Sequence, residues 1–103
     1  MCNKKQLILA KCFDKKGNLI SSAYNSYTKT HPVQKHFATK VHQPFRDKLH
    51  AEILAILRAK GKKIYKITVE RYNQAGEKLL AKPCPICEEA IRAYGISVVE
   101  FTE

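Results

Sequence analysis

The sequence predicts a small α/β domain: a mixed four-stranded sheet in the order 2-1-3-4, with two helices on one face. Two observations predict it. Short aliphatic and β-branched runs alternate with stretches whose apolar residues recur every three to four positions, in the order β-β-α-β-α-β. Each of the two helical stretches lies between strand-like runs, so right-handed crossovers at both steps place both helices on the same face. The first two strands are expected to be antiparallel and the others parallel. Both helix N-termini then point toward the carboxyl ends of strands, where open α/β sheets bind ligands.

The elements follow in order. Leu7 to Phe13 reads as a strand, Asp14-Lys15-Lys16-Gly17-Asn18 as a turn, and Leu19 to Tyr24 as the returning strand of a hairpin. Residues 25–46 lack strand periodicity and combine histidines, lysines and aromatics. Within them Pro32 suits the first turn of a short helix, with Val33, Phe37 and Val41 on one face. From Asp47, an expected N-cap, the pattern is helical. Leu49, Ile53, Ile56 and Leu57 form a stripe that Ala51, Leu54, Ala55 and Ala59 widen, and Gly61 is the expected stop. Ile64 to Tyr72 is the third strand, with Tyr65, Ile67 and Val69 on one face. Asn73-Gln74-Ala75-Gly76 is a turn, and Lys78 to Lys82 a short extended return. Pro83-Cys84-Pro85 opens a second helix, with Ile86, Ala90 and Ala93 on one face and Gly95 at its end. Ile96 to Phe101 is the last strand. The strands carry apolar residues on both sides, so the face away from the helices is expected to be covered by residues 25–46 or by a second copy of the chain, a homo-oligomer.

At 103 residues the chain is read as one domain, residues 1–103. An apolar fraction of 45% and a charged fraction of 27% are those of a globular chain and argue against disorder. No apolar run is long enough for a membrane span, and the N-terminus does not resemble a signal peptide. A cytoplasmic location is expected, or the host-cell cytoplasm for a phage-encoded chain. The net charge is +10 and uneven: residues 1–82 hold 18 Lys/Arg against 5 Asp/Glu, while residues 83–103 hold 1 against 4. A basic body attracts polyphosphates and nucleic acid, and equally serves as a solvated surface.

Cys84 and Cys87 form a Cys-x-x-Cys pair in a chain without secretory features, which points to metal or redox use and away from a structural disulfide. Cys12 reads as a small apolar residue in a strand, and Cys2 lies at the terminus. The two thiols stand three residues apart at a helix entrance, so they face one side. There the free N–H groups and the dipole favour thiolate, the form that Zn2+ needs. His50, at the other helix start, completes a three-ligand set. Glu52 lies two residues further on and is not needed as a ligand, which leaves it to act as a proton shuttle. Two other readings stay open. His31, His36 or His42 would supply a fourth ligand for a structural zinc, and Cys-x-x-Cys alone would serve as a thioredoxin-like redox pair.

With His50-Ala51-Glu52 and Pro83-Cys84-Pro85-Ile86-Cys87 in place, the chain resembles the zinc-dependent cytidine/deoxycytidylate deaminase superfamily, whose pattern is H-x-E…P-C-x-x-C. The resemblance runs from Leu7 to Thr102, through both motifs and the order of elements. It implies the cytidine deaminase-like fold in a minimal form, Zn2+ held by His50, Cys84 and Cys87, and Glu52 as the catalytic proton carrier. It also implies attack of water at C4 of cytosine or C6 of adenine, with Asn25, Ala51 and Pro83 as substrate contacts. A histidine as first ligand resembles the deoxycytidylate, tRNA-adenosine and polynucleotide branches more than the free-cytidine branch. The chain contains no tryptophan and therefore lacks the Ser-Trp-Ser platform of vertebrate polynucleotide deaminases. The run from Ile64 to Pro83 looks more like the compact bacterial and phage enzymes.

The expected function is hydrolytic deamination of cytosine to uracil, slightly favoured in single-stranded DNA or RNA on account of the basic, aromatic-bearing segment 25–46. A free nucleotide is the alternative substrate, with Lys29, Lys35 or Arg46 on its phosphate. The second alternative is a non-enzymatic, zinc-stabilised nucleic-acid-binding module. Tyr24, Tyr27, Phe37 and Phe45 suit either base stacking or packing.

Overall fold

A computed structural model describes residues 7–26, 30–42 and 50–102. Strands β1 (Leu7–Phe13) and β2 (Leu19–Tyr24) are followed by helices α1 (Pro32–Lys40) and α2 (Ala51–Arg58). Strands β3 (Lys66–Tyr72) and β4 (Lys78–Leu79), helix α3 (Pro85–Ala93) and strand β5 (Val98–Phe101) complete the order. Among the described residues no helix is long and apolar enough to cross a membrane.

Two turns of the same design fold the strands back. In the first, Asp14 Oδ1 accepts the N–H groups of Lys16 and Asn18, each at 2.9 Å. In the second, Asn73 Oδ1 accepts those of Ala75 and Glu77 at 2.9 and 3.0 Å. Each turn has a glycine three residues after the Asx residue, Gly17 at φ +88° and Gly76 at φ +83°, where a side chain would be strained. The sheet order is β2-β1-β3, and one edge of β3 is shared end to end by two short strands. β5 pairs in parallel with Lys66–Val69, and β4 in antiparallel with Arg71 and Tyr72.

The sequence order is thus mixed α/β as expected, but one strand direction is not. β1 runs antiparallel to β3, with Ala10 opposite Val69 and Cys12 opposite Ile67. The reason is topological: the crossover from β2 through α2 makes β2 and β3 parallel, so the hairpin partner β1 must oppose both. The third and last strands also begin later than expected. Ile64 (6% exposed) and Ile96 (8%) belong to the core, but they precede Lys66 and Val98, where pairing within the sheet starts.

α2 lies on the face made by Ala10, Cys12, Ala23 and Ile67. Small side chains on both layers let the helix approach closely, and Ser21 Oγ donates to the Ala55 carbonyl at 2.7 Å across the gap. α1 packs on α3 in a second apolar cluster, where Phe37 and Ala38 meet Ile53, Ile86 and Cys87. An ion pair between Lys40 and Glu89 at 3.0 Å ties the two helices at the surface. The described part of the 25–46 segment therefore joins the helical layer, and the other sheet face is not covered by it. That face mixes apolar and charged residues: Leu7, Leu9, Phe13 and Tyr72 share it with Lys11, which pairs with Glu70 at 3.8 Å, and with Lys66, which pairs with Glu100 at 3.6 Å. Lys66 Nζ also stands 5.1 Å from the centre of the Phe13 ring.

Candidate metal centre

The two helices that start the site are entered by their own candidate ligands. His50 is the N-cap of α2, with φ −80° and ψ 152°, and Cys84 is the N-cap of α3, with φ −72° and ψ 169°. Neither side chain caps its own helix, which leaves both free to turn toward each other. Pro85 occupies the first turn of α3, where a missing N–H costs nothing, and Cys87 follows within that turn. The expected cap, Asp47, lies outside the described residues, and the observed cap is His50 itself. Its carbonyl accepts the Leu54 N–H at 3.0 Å.

His50 Nδ1 stands 3.2 Å from Cys87 Sγ and 3.4 Å from Cys84 Sγ. All three ligand atoms lie within 4.8 Å of one another, close enough to hold a metal ion. Zinc at about 2.1 Å from nitrogen and about 2.3 Å from sulfur in a tetrahedral arrangement needs N–S separations of about 3.5 Å. The observed separations of 3.2 and 3.4 Å come close to that requirement. Two sulfurs and an imidazole are a donor set suited to Zn2+. Among the described residues no fourth His, Cys, Asp or Glu joins the group.

The charge state of the metal-free cluster supports the same reading. The Cys84 thiol is pulled down to about 4, chiefly because Cys87 donates its S–H to the Cys84 sulfur, with His50 adding to the effect against the cost of burial. Cys87 is fully buried, and the same hydrogen bond pushes it well above the ordinary thiol range, helped by burial and by the charge of Glu52. The positive end of α3 adds to the stability of the thiolate.

Glu52 lies in the first turn of α2 and is 5% exposed. Burial raises its pKa, while its own backbone N–H and the nearby His50 pull the other way. It contacts Cys87 through a hydrogen bond, yet it is not a member of the three-ligand group. A buried carboxyl beside the cluster and outside its ligand set is what proton transfer requires.

Ala51 is fully buried at the start of α2, and Pro83 is buried directly before Cys84. Asn25 follows β2 and exchanges two hydrogen bonds with Ile8: its N–H donates at 3.1 Å, and its Oδ1 accepts at 3.0 Å. His31 is the N-cap of α1, its Nδ1 accepting the Val33 N–H at 3.1 Å. His36 and His42 are exposed, and none of these three histidines joins the cluster. Tyr27, Lys29, Phe45 and Arg46 lie outside the described residues.

One participant was missed. Gln34 on α1 is fully buried, and its Oε1 accepts the His50 N–H at 3.1 Å. That N–H belongs to a helix cap and has no partner within α2. Gln34 thereby fixes the backbone from which the imidazole projects. The available signal was its spacing: Gln34 stands four residues before Ala38, at the border of the apolar stripe.

No protein-family model matches the chain, and no curated protein matches it.

Proposed function

We propose that the chain is a zinc-dependent hydrolase that deaminates cytosine to uracil, of the cytidine deaminase type. The observation that carries this reading is Glu52: a buried carboxyl beside His50, Cys84 and Cys87 that the ligand set does not use. A purely structural zinc has no need of it and is ordinarily closed by a fourth protein ligand, whereas a catalytic zinc keeps that position open. When bound, Zn2+ would act as a Lewis acid and bring the pKa of a coordinated water toward about 7.

The protein's own residues do the rest. His50, Cys84 and Cys87 hold the ion from two rigid helix starts. Glu52 takes a proton from water and gives it to N3 of the ring, then carries the second proton, from the hydroxyl added at C4, to the departing amine, so that cytosine and water give uracil and ammonia. Burial raises the Glu52 pKa, which strengthens the carboxylate as a base toward water. Ala51 and Pro83 flank the ligands and suit contact with the base, and Asn25 suits contact with the sugar.

A single-stranded polynucleotide is the favoured substrate, supported by the net charge of +10 and by a basic face of α1. On that face Lys35, His36 and Lys40, the last paired with Glu89, line a shallow depression of ≈ 600 Å³ on the same helix that carries Gln34. The test is to incubate the zinc-loaded protein with a cytosine-containing oligonucleotide and with deoxycytidylate, and to measure uracil in each. Uracil in the oligonucleotide is expected. Uracil from the mononucleotide alone would move the substrate to free nucleotides, and uracil from neither would overturn the proposal.

A further inference from the structure

The end of the molecule away from the cluster carries a second concentration of chemistry. The turn between β1 and β2 and the segment joining α2 to β3 border a depression of ≈ 550 Å³. Lys15, Lys16 and Asn18 reach it from the turn, Lys63 and Tyr65 from the segment, and Ser97 from the approach to β5. It belongs to the C-terminal end of α2, and the cluster to the N-terminal end. The helical path from His50 to Ala59 alone spans about 14 Å.

Among the residues that line the depression, three lysines face one carboxylate, that of Asp14, which interacts with Lys16. That carboxylate is also engaged inside the turn: Oδ1 takes two backbone N–H groups, and Oδ2 takes Asn18 Nδ2 at 3.3 Å. The close ion pairs among the described residues use Lys11, Lys40, Lys66 and Arg92, and include none of Lys15, Lys16 and Lys63. All six polar and aromatic side chains named above are exposed. That arrangement does not enclose a small molecule, which would need a largely buried, shape-matched pocket. It suits a flexible polyanion that is held by point charges and a stacking surface.

We propose that this depression is a nucleic-acid backbone site, with the three lysines on neighbouring phosphates of a single strand and the Tyr65 ring stacked on a base. The site is separate from the reaction proposed at the cluster, and it would bind whether or not that reaction occurs.

The experiment is fluorescence anisotropy of the zinc-loaded protein with a labelled oligothymidylate, which offers no cytosine to the cluster, over a series of salt concentrations. The Lys15→Ala/Lys16→Ala/Lys63→Ala variant should bind at least about tenfold more weakly. Its log–log salt slope should be shallower by about 2, from about 0.7 per lost phosphate contact. Tyr65→Ala should weaken binding about tenfold with the slope unchanged. Circular dichroism and zinc content establish that the variants fold. No binding by the wild type, or equal affinity and slope in the triple variant, would overturn the proposal. So would displacement of the oligonucleotide by an equimolar nucleoside triphosphate, which would mark a site for small phosphates. Loss of uracil formation in the oligonucleotide assay, with oligothymidylate binding intact, would count against the deaminase reading alone.

Discussion

Replacing Gln34 by methionine removes the side-chain acceptor of the His50 N–H at little change in volume, which makes it a probe of how the cluster is held. Gln34 is fully buried, and its Oε1 lies 3.1 Å from the His50 nitrogen. Without that oxygen, the His50 N–H loses its acceptor at a half-buried position. Leaving a buried donor unsatisfied costs about 1–3 kcal/mol, and partial access to water places this case in the lower half, at about 1–2 kcal/mol. For a domain of this size such a loss lowers Tm by roughly 4–16 °C. The same bond sets the direction of the imidazole, and outer contacts of this kind change metal affinity by about 10- to 100-fold.

Two assays separate these effects: urea unfolding of the metal-free protein, and zinc competition against a chromophoric chelator. Gln34→Met should lose stability in the first and affinity in the second. Gln34→Glu in acidic buffer, where a buried carboxyl is neutral and keeps its carbonyl oxygen, should recover part of both. An unchanged unfolding midpoint together with unchanged zinc affinity would refute the positioning role.

Further outcomes follow from the same geometry. Glu52→Gln should keep zinc and lose uracil formation by about 10²- to 10⁴-fold, checked by zinc content and turnover. The metal-free form of that variant should also gain stability over the wild type. Burial raises the Glu52 pKa, so the wild-type penalty is absent below the ordinary carboxyl range, grows as pH rises through the folded value, and persists above it. Urea melts at a series of pH values should show the gap widening upward. Cys84, with its thiol at about 4, should be alkylated by iodoacetamide at pH 6 in the metal-free protein, while the fully buried Cys87 is spared and zinc protects both. His50→Ala should abolish stoichiometric zinc binding, read by equilibrium dialysis.

The parts of the fold that were legible in the sequence depend on neighbours in the chain. Asp14 and Asn73, each followed three residues later by glycine, specify their turns almost unaided. Proline beside Cys84 marks a helix start, and the stripe from Ile53 to Leu57 marks a buried helix. The ligand group was legible for the same reason: two short motifs at two helix entrances imply convergence once the helices share a sheet face. Strand direction was not legible. A period of two tells which residues share a face, and Ala10, Cys12, Ile67 and Val69 would do so in either orientation of β1 against β3. Nor did the apolar count of the strands reveal that Lys11, Lys66, Glu70 and Glu100 would pair across the open face. Gln34 was hidden because a polar residue on an amphipathic helix reads as solvent-facing unless its partner is known. That partner, a backbone N–H sixteen residues away, leaves no trace in composition.

The arrangement also explains why α1 belongs to the site and is not just a connector. α2 and α3 supply the ligands, but each presents them from the first turn, where helical hydrogen bonds are incomplete and ends fray. α1 closes that weakness from outside. Phe37 and Ala38 pack against the cluster that contains Cys87 and Ile86, and Gln34 takes the N–H that α2 itself cannot satisfy. The Lys40–Glu89 pair then joins the far end of α1 to α3. Thiolate, imidazole and carboxyl are thus held by three helices in place of two. Any displacement of α1 would carry the acceptor of the His50 N–H with it.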